Sequence, residues 1–232
     1  MGQASPAAGK LDHMPVLREE FALTAGDGKV SAVFAAPGDA TAAVVVAHGA
    51  GAGMDHPFLA GFSDALNAGG AATLRFNFPY REAGRKFPDR PPAAVAAWRS
   101  AMEAAASRTT GLPLWSCGKS FGGRMASMAV AEGMTTAGLI FLGYPLHPPG
   151  KPEKTRDEHL YGLTVPMLFL QGTRDPFALP GELEPVAERI GSNARVERIE
   201  GANHMFEVRG NKRAPDVVGA GLADRVLDYV KH

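Results

Sequence analysis

With 232 residues the chain has room for one large α/β domain rather than two of ordinary size. Its 24 Lys plus Arg balance 24 Asp plus Glu, and a formal net charge of +0 excludes nucleic-acid binding through bulk charge. A hydrophobic fraction of 45% allows a sizeable core, and a single cysteine, Cys117, excludes an internal disulfide framework or a Cys-built zinc cluster. Nothing reaches the roughly 18 consecutive apolar residues of a membrane span, so the expectation is a soluble, cytoplasmic protein that binds neither membrane nor nucleic acid.

Residues 1–14 lack the apolar core of a secretory signal and read as a loose tail, with a natural start nearer Met14 left open. A single domain is expected over 15–232. Leu17–Thr24 and Lys29–Ala36 flank Gly26-Asp27-Gly28, which predicts a β-hairpin. Ala42–Ala47 is a short apolar run rich in valine, suited to a strand buried on both faces. Similar runs at Ala72–Phe78, Leu112–Cys117, Leu139–Tyr144 and Pro166–Gln171, with a final one at Ala194–Ile199, bring the expected count to eight strands.

Helical patterns fill the intervals. Phe58, Phe62 and Leu66 recur behind Asp55-His56-Pro57 and stop at Gly69-Gly70. Val95, Trp98 and Met102 mark a helix in the Ala-rich segment 92–107, and Leu183, Val186 and Ile190 mark one that ends at Gly191. Val218, Leu222, Val226 and Val230 predict one closing helix. Strands alternating with helices imply βαβ units, a mostly parallel sheet and helices on both of its faces.

The strand ending at Cys117 runs into Gly118-Lys119-Ser120-Phe121-Gly122-Gly123, ahead of a helix-like segment at 124–132. That is G-x-S-x-G in the strand, turn, helix setting of a nucleophile elbow. Gly118 and Gly122 remove the Cβ atoms that would collide in so tight a turn, and Ser120 is presented where the next helix offers unpaired N–H groups. The competing reading is a glycine-rich turn with an exposed serine.

Serine needs a base to take its proton, and the base needs an orienting carboxylate. Of seven histidines, His204 in Gly201-Ala202-Asn203-His204-Met205-Phe206 follows the last expected strand, where a loop returns over the sheet edge. The candidate carboxylate is Asp175, before Pro176 at the end of the preceding strand; otherwise it caps a turn or pairs with Arg174. The chain order Ser120, Asp175, His204 is that of the α/β-hydrolase triad. After the first central strand, His48-Gly49-Ala50-Gly51-Ala52-Gly53 can supply an amide from Ala50 or Gly51 to complement that of Phe121 in an oxyanion hole. His48 itself is read chiefly as a structural hydrogen-bonding residue.

Taken together, the stretches at 44–58, 74–82, 118–125, 144–160, 170–177 and 201–206 resemble the α/β-hydrolase superfamily and its dienelactone-hydrolase-like branch. More narrowly they look like small bacterial hydrolases related to a testis-expressed animal protein and to a subunit of a chromatin-modifying complex. The resemblance covers Leu17 to the C-terminus. It implies a three-layer α/β fold with a mostly parallel eight-stranded sheet, and Ser120, Asp175 and His204 as nucleophile, acid and base. True dienelactone hydrolases carry cysteine at the elbow, where this chain has serine; Cys117 is read as a small buried residue.

The expected reaction is hydrolysis of a small ester or related acyl bond through an acyl-enzyme, without metal or cofactor. The 19-residue stretch 146–164 is too short for a large cap domain, so the site should be open. Lys119, Arg124 and His147 are candidate substrate contacts. With Arg81, Arg85, Lys151 and Arg156, the two cations either hold an anionic substrate group or are solvated charges paired with Glu82, Asp157 or Glu158. Two other functions share the sequence features: a silent hydrolase-like scaffold, and an acyltransferase or perhydrolase that differs in its acyl acceptor.

Overall fold

The computed structural model describes residues 16–88 and 90–231, so the tail expected at 1–14 lies outside the described residues. β1 (Leu17–Ala25) and β2 (Gly28–Ala36) form the hairpin, turning through Gly26 at φ 60°. β3 (Ala42–Ala47), β4 (Ala71–Phe76), β5 (Leu114–Lys119), β6 (Leu139–Leu142), β7 (Met167–Gly172) and β8 (Ala194–Ile199) run parallel. β2 joins them antiparallel against β4, giving one eight-stranded sheet in the order β1-β2-β4-β3-β5-β6-β7-β8.

The central strands show no polar alternation because both faces are covered. Val45, Leu74, Phe141 and Phe169 pack in the cluster that holds residues of α3 (Pro91–Arg108), α4 (Phe121–Ala131) and α5 (Glu184–Ile190). Val44, Val46, Ile140 and Leu168 pack in the one that holds α1 (Pro57–Ala68), α6 (Pro215–Ala220) and α7 (Ala223–Val230). The short α2 (Pro79–Glu82) completes the set. Segment 146–164 is a loop with a single 3₁₀ turn at Glu158–Gly162, and no cap domain is present among the described residues.

Two expectations need correction. The closing helix is two helices broken at Gly221-Leu222. α6 lies so close to α1 that a Cβ on Gly219 would stand 2.0 Å from the Phe58 carbonyl oxygen, and Leu227 of α7 fills the space above Gly69. One straight rod does not satisfy both contacts. Val218, Leu222, Val226 and Val230 are nevertheless all buried, so the pattern reported a face and not a single axis. The helix after the elbow starts at Phe121 rather than at residue 124, which makes Ser120 the residue that opens it.

Chain direction places the site. From β3 the chain turns to β4 on one side, whereas from β5 it turns to β6 on the other. A crevice therefore opens beyond the carboxyl ends of these two neighbouring strands, as expected at a topological switch point.

Candidate active site

Ser120 sits in that crevice at φ 49° and ψ −114°, a positive-φ conformation outside the left-handed helical well that costs a non-glycine residue about 1–3 kcal/mol. The surrounding backbone holds it there. A Cβ on Gly118 would lie 2.2 Å from the Gly123 nitrogen, one on Gly122 2.6 Å from the His48 carbonyl oxygen, and one on Gly123 2.7 Å from the Gly118 carbonyl oxygen. The elbow thus needs Gly123 as well as the two motif glycines. The Ser120 amide donates to Leu142 O (3.1 Å), and Trp98 Nε1 donates to Gly122 O (3.0 Å).

His204 Nε2 is 2.8 Å from Ser120 Oγ, and His204 Nδ1 is 2.7 Å from Asp175 Oδ2. A carboxylate only accepts, so Nδ1 carries the proton and the bare Nε2 accepts from the serine hydroxyl. Asp175 is fully buried and also accepts from Gln171 Nε2 (2.7 Å) and from the Phe177 amide (2.9 Å). It therefore caps its turn while it orients the imidazole; Arg174 is not its partner. Gln171 is fixed in turn because its Oε1 accepts from the Tyr144 amide.

The loops that carry His204 and Asp175 are tied together. Gly172 meets Ala202 so closely that a Cβ there would stand 2.3 Å from its carbonyl oxygen, and the Arg174 amide donates to the same oxygen. Asn203 Oδ1 accepts from the amides of Met205 and Glu207, closing a turn in which buried Phe206 takes φ 61° and stacks on Phe58. The Phe177 ring lies 4.2 Å from the His204 ring, centroid to centroid. Burial lowers the His204 pKa; its bond to Asp175 opposes this, the Lys119 charge reinforces it, and the result lies below the ordinary imidazole value.

His48 anchors the glycine loop. Its Nε2 accepts from the Phe78 amide (3.1 Å), which places the ring proton on Nδ1, facing Gly49 O at 2.8 Å. Tyr80 Oη donates to Ala50 O (2.8 Å). Because trans peptide units are planar, anchoring the Gly49 and Ala50 carbonyls turns the N–H groups of Ala50 and Gly51 the opposite way. Phe121, at the first position of α4, has an amide that no turn of its own helix satisfies.

Burial, with the Arg81 charge in the same sense, lowers the His48 pKa to about 4 against its bond to Gly49. An imidazole that titrates lower in the folded than in the unfolded chain contributes stability above about pH 6.5, lost as pH falls toward 4. The difference is on the order of 3 kcal/mol. In a proton NMR titration, His48 is expected to remain neutral at pH 5.5. Half-protonation near pH 6.5 in the folded protein would contradict this.

The other candidate contacts are placed differently. Lys119 is buried, its Nζ donating to His204 O. Arg124 is half-buried; a charge interaction with it acts on Tyr144 and on His159. His147, the third candidate substrate contact, is buried between Pro148 O and the Glu182 carboxylate and does not line the cleft at Ser120. Glu82 accepts from Ser31 and Asn77, and Asp157 from Tyr161, rather than pairing with the arginines. Cys117 is buried, which pushes its thiol pKa up. Sequence reasoning missed Gln171 and Tyr80, whose partners Tyr144 and Ala50 lie 27 and 30 residues away in the chain, and Asn203, which closes its own turn through Met205 and Glu207.

The cleft at Ser120 encloses about 340 Å³ and is lined by Gly49–Ala52, His56, Phe58, Leu59, Phe177 and Met205 along with Ser120, His204 and, of the candidate substrate contacts, Lys119. A larger cleft, about 660 Å³, lies against Arg174, Asn203, Glu207, Arg209, Lys212 and Arg213 and contains neither Ser120 nor His204, so chemistry rather than size marks the smaller one. Among the described residues no cluster of His, Cys, Asp and Glu is arranged to hold a metal ion, and no helix is long and apolar enough to cross a membrane.

A sequence model of the alpha/beta hydrolase domain matches residues 40–222. The fold is similar to a dienelactone hydrolase from Anabaena variabilis, with TM-score 0.73, 22% identity, and coverage of 94% of this chain and 98% of that one. It is also similar to a lidless α/β serine hydrolase from Xanthomonas campestris (0.72, 18%, 94% and 96%) and to an α/β serine hydrolase homologue from Coxiella burnetii (0.68, 17%, 91% and 95%). At these identities the likeness is one of fold.

Proposed function

Since the chain belongs to the α/β-hydrolase family, we propose that it is a serine hydrolase that cleaves small carboxylic esters or related acyl bonds through an acyl-enzyme. The observation that carries this reading is the unbroken chain of hydrogen bonds from Asp175 through His204 to Ser120. His204 Nε2 takes the proton as Ser120 Oγ attacks the acyl carbon. The negative charge that develops on the carbonyl oxygen is met by the amides of Phe121 and of Ala50 or Gly51. Protonated His204, stabilised by Asp175, then delivers its proton to the leaving group. Water repeats the attack on the acyl-enzyme with His204 again as base.

The cleft volume near Ser120, its largely apolar lining and the absence of a cap among the described residues favour short acyl groups. With a series of p-nitrophenyl esters, kcat/KM for acetate or butyrate is expected to exceed that for palmitate by about tenfold or more. Fastest turnover of palmitate would contradict the assignment to short acyl groups, and no turnover of any ester or thioester would contradict hydrolysis. Product formed only when an alcohol, thiol or peroxide is added would identify acyl transfer instead.

A further inference from the structure

Lys119, the residue between the elbow glycine and Ser120, has its ammonium buried under the histidine loop. Its Nζ donates to the carbonyl oxygen of His204 itself at 2.5 Å and lies 5.3 Å from the centroid of the Phe206 ring. The point where a Cβ on Gly143 would stand is 3.4 Å from Lys119 Nζ, 3.4 Å from His204 Nδ1 and 3.4 Å from Asp175 Oδ2. The ammonium is therefore no farther than twice that distance from either partner of the His204–Asp175 pair. Gly143, at φ 73°, leaves the space that the three groups share.

Elbow chemistry does not require a cation at this position, since the motif fixes only the glycines and the serine. Burying an ammonium is unfavourable unless it is partnered, and its partners here are one carbonyl, one aromatic face and the field of Asp175. The titratable groups facing Lys119 are Asp175, at the end of β7, and His204, in the loop before α6. Those acting on His204 are Asp175 and Lys119.

We propose that Lys119 is a positioning residue for His204, holding its backbone carbonyl by a hydrogen bond while its positive charge offsets that of the Asp175 carboxylate at the imidazole. The proposal rests on His204 being the base that serves Ser120. Asp175 alone favours imidazolium; a second charge of opposite sign at this range disfavours it. His204 then stays a free base at mildly acidic pH, and the imidazolium formed during acyl transfer is a stronger acid toward the leaving group. The lowered His204 pKa agrees in sign, and Lys119, itself lowered to about 8 by burial against the pull of Asp175, is charged at neutral pH.

The test is an NMR titration of the His204 imidazole, which needs no substrate. Lys119→Met removes both charge and donor, Lys119→Gln removes the charge and keeps an N–H donor, and Lys119→Arg keeps both. The His204 pKa is expected to rise by about one to two units in the Met and Gln proteins and to stay near the native value in the Arg protein. The acid limb of the kcat/KM profile should move by the same amount, while the His159 titration stays in place. In the native protein, neutral His204 should show a second shift inflection near pH 8 as Lys119 deprotonates, a readout that stands even if the Met and Gln chains fail to fold.

An unchanged His204 pKa in a folded Met or Gln variant, or a native His204 resonance with no inflection near pH 8, would overturn the proposal and leave Lys119 with a packing role only. Failure of the hydrolase reading looks different: the native protein would then not react at Ser120, whatever His204 titration shows.

Discussion

Replacing Ser120 with alanine is expected to lower kcat/KM for a small ester by about 10⁴–10⁶, with the residual rate coming from binding and the oxyanion amides alone. In the proposed mechanism Ser120 Oγ forms the acyl bond, and its neighbours cannot substitute for it: Lys119 is directed under the histidine loop and Phe121 begins α4. His204→Ala should cost about as much, and the double variant little more than either single one, because nucleophile and base act as one unit. Steady-state kinetics on purified variants of unchanged thermal midpoint makes the comparison. Additive losses would show that Ser120 and His204 do not act as one unit, and a Ser120→Ala protein within tenfold of the native rate would remove Ser120 from the mechanism.

Asp175→Asn is expected to lower kcat by about 10⁴. All three groups that meet this side chain are donors: the His204 Nδ1–H, the Gln171 amide nitrogen and the Phe177 N–H. A carboxylate accepts from all of them. An asparagine amide nitrogen accepts from none, so it either faces a donor or turns His204 to the tautomer that leaves Nε2 protonated and unable to take the serine proton. The same mismatch should lower stability by about 1–3 kcal/mol, read as an earlier urea midpoint. A variant with native kcat would show that Asp175 only caps its turn.

Much of the fold was legible in the sequence because the central strands are buried on both faces and so appear as uninterrupted apolar runs. β3 and β8 match their expected limits, and the others shift by a few residues where Gly, Pro or the elbow sets the boundary. The closing helix was misread because residues on one buried face keep their spacing through a bend, and the close approach of Gly219 to α1 is invisible in the local pattern.

For the candidate site, strand order in the chain indicated which loops carry Ser120, Asp175 and His204. The distances among them depend on β5, β6, β7 and β8 lying side by side, which sequence spacing does not contain. Lys119 read as a candidate substrate contact or a solvated charge, and its burial was hidden for the same reason: its neighbours come from the loops after β6, β7 and β8, more than twenty residues away in the chain. Gln171 carries no motif because the amide that fixes it, that of Tyr144, is 27 residues away, and Asn203 closes a local turn that no motif marks.

The central claim is that Ser120 is a nucleophile activated by His204. Exposure of the native protein, Ser120→Ala and His204→Ala to a fluorophosphonate, followed by intact-mass and peptide mass spectrometry, tests it without knowledge of the substrate. The account predicts one adduct on the native chain, located to Ser120, and none on either variant under the same conditions. A folded native protein that takes no adduct, or an adduct that persists in Ser120→Ala, would contradict it.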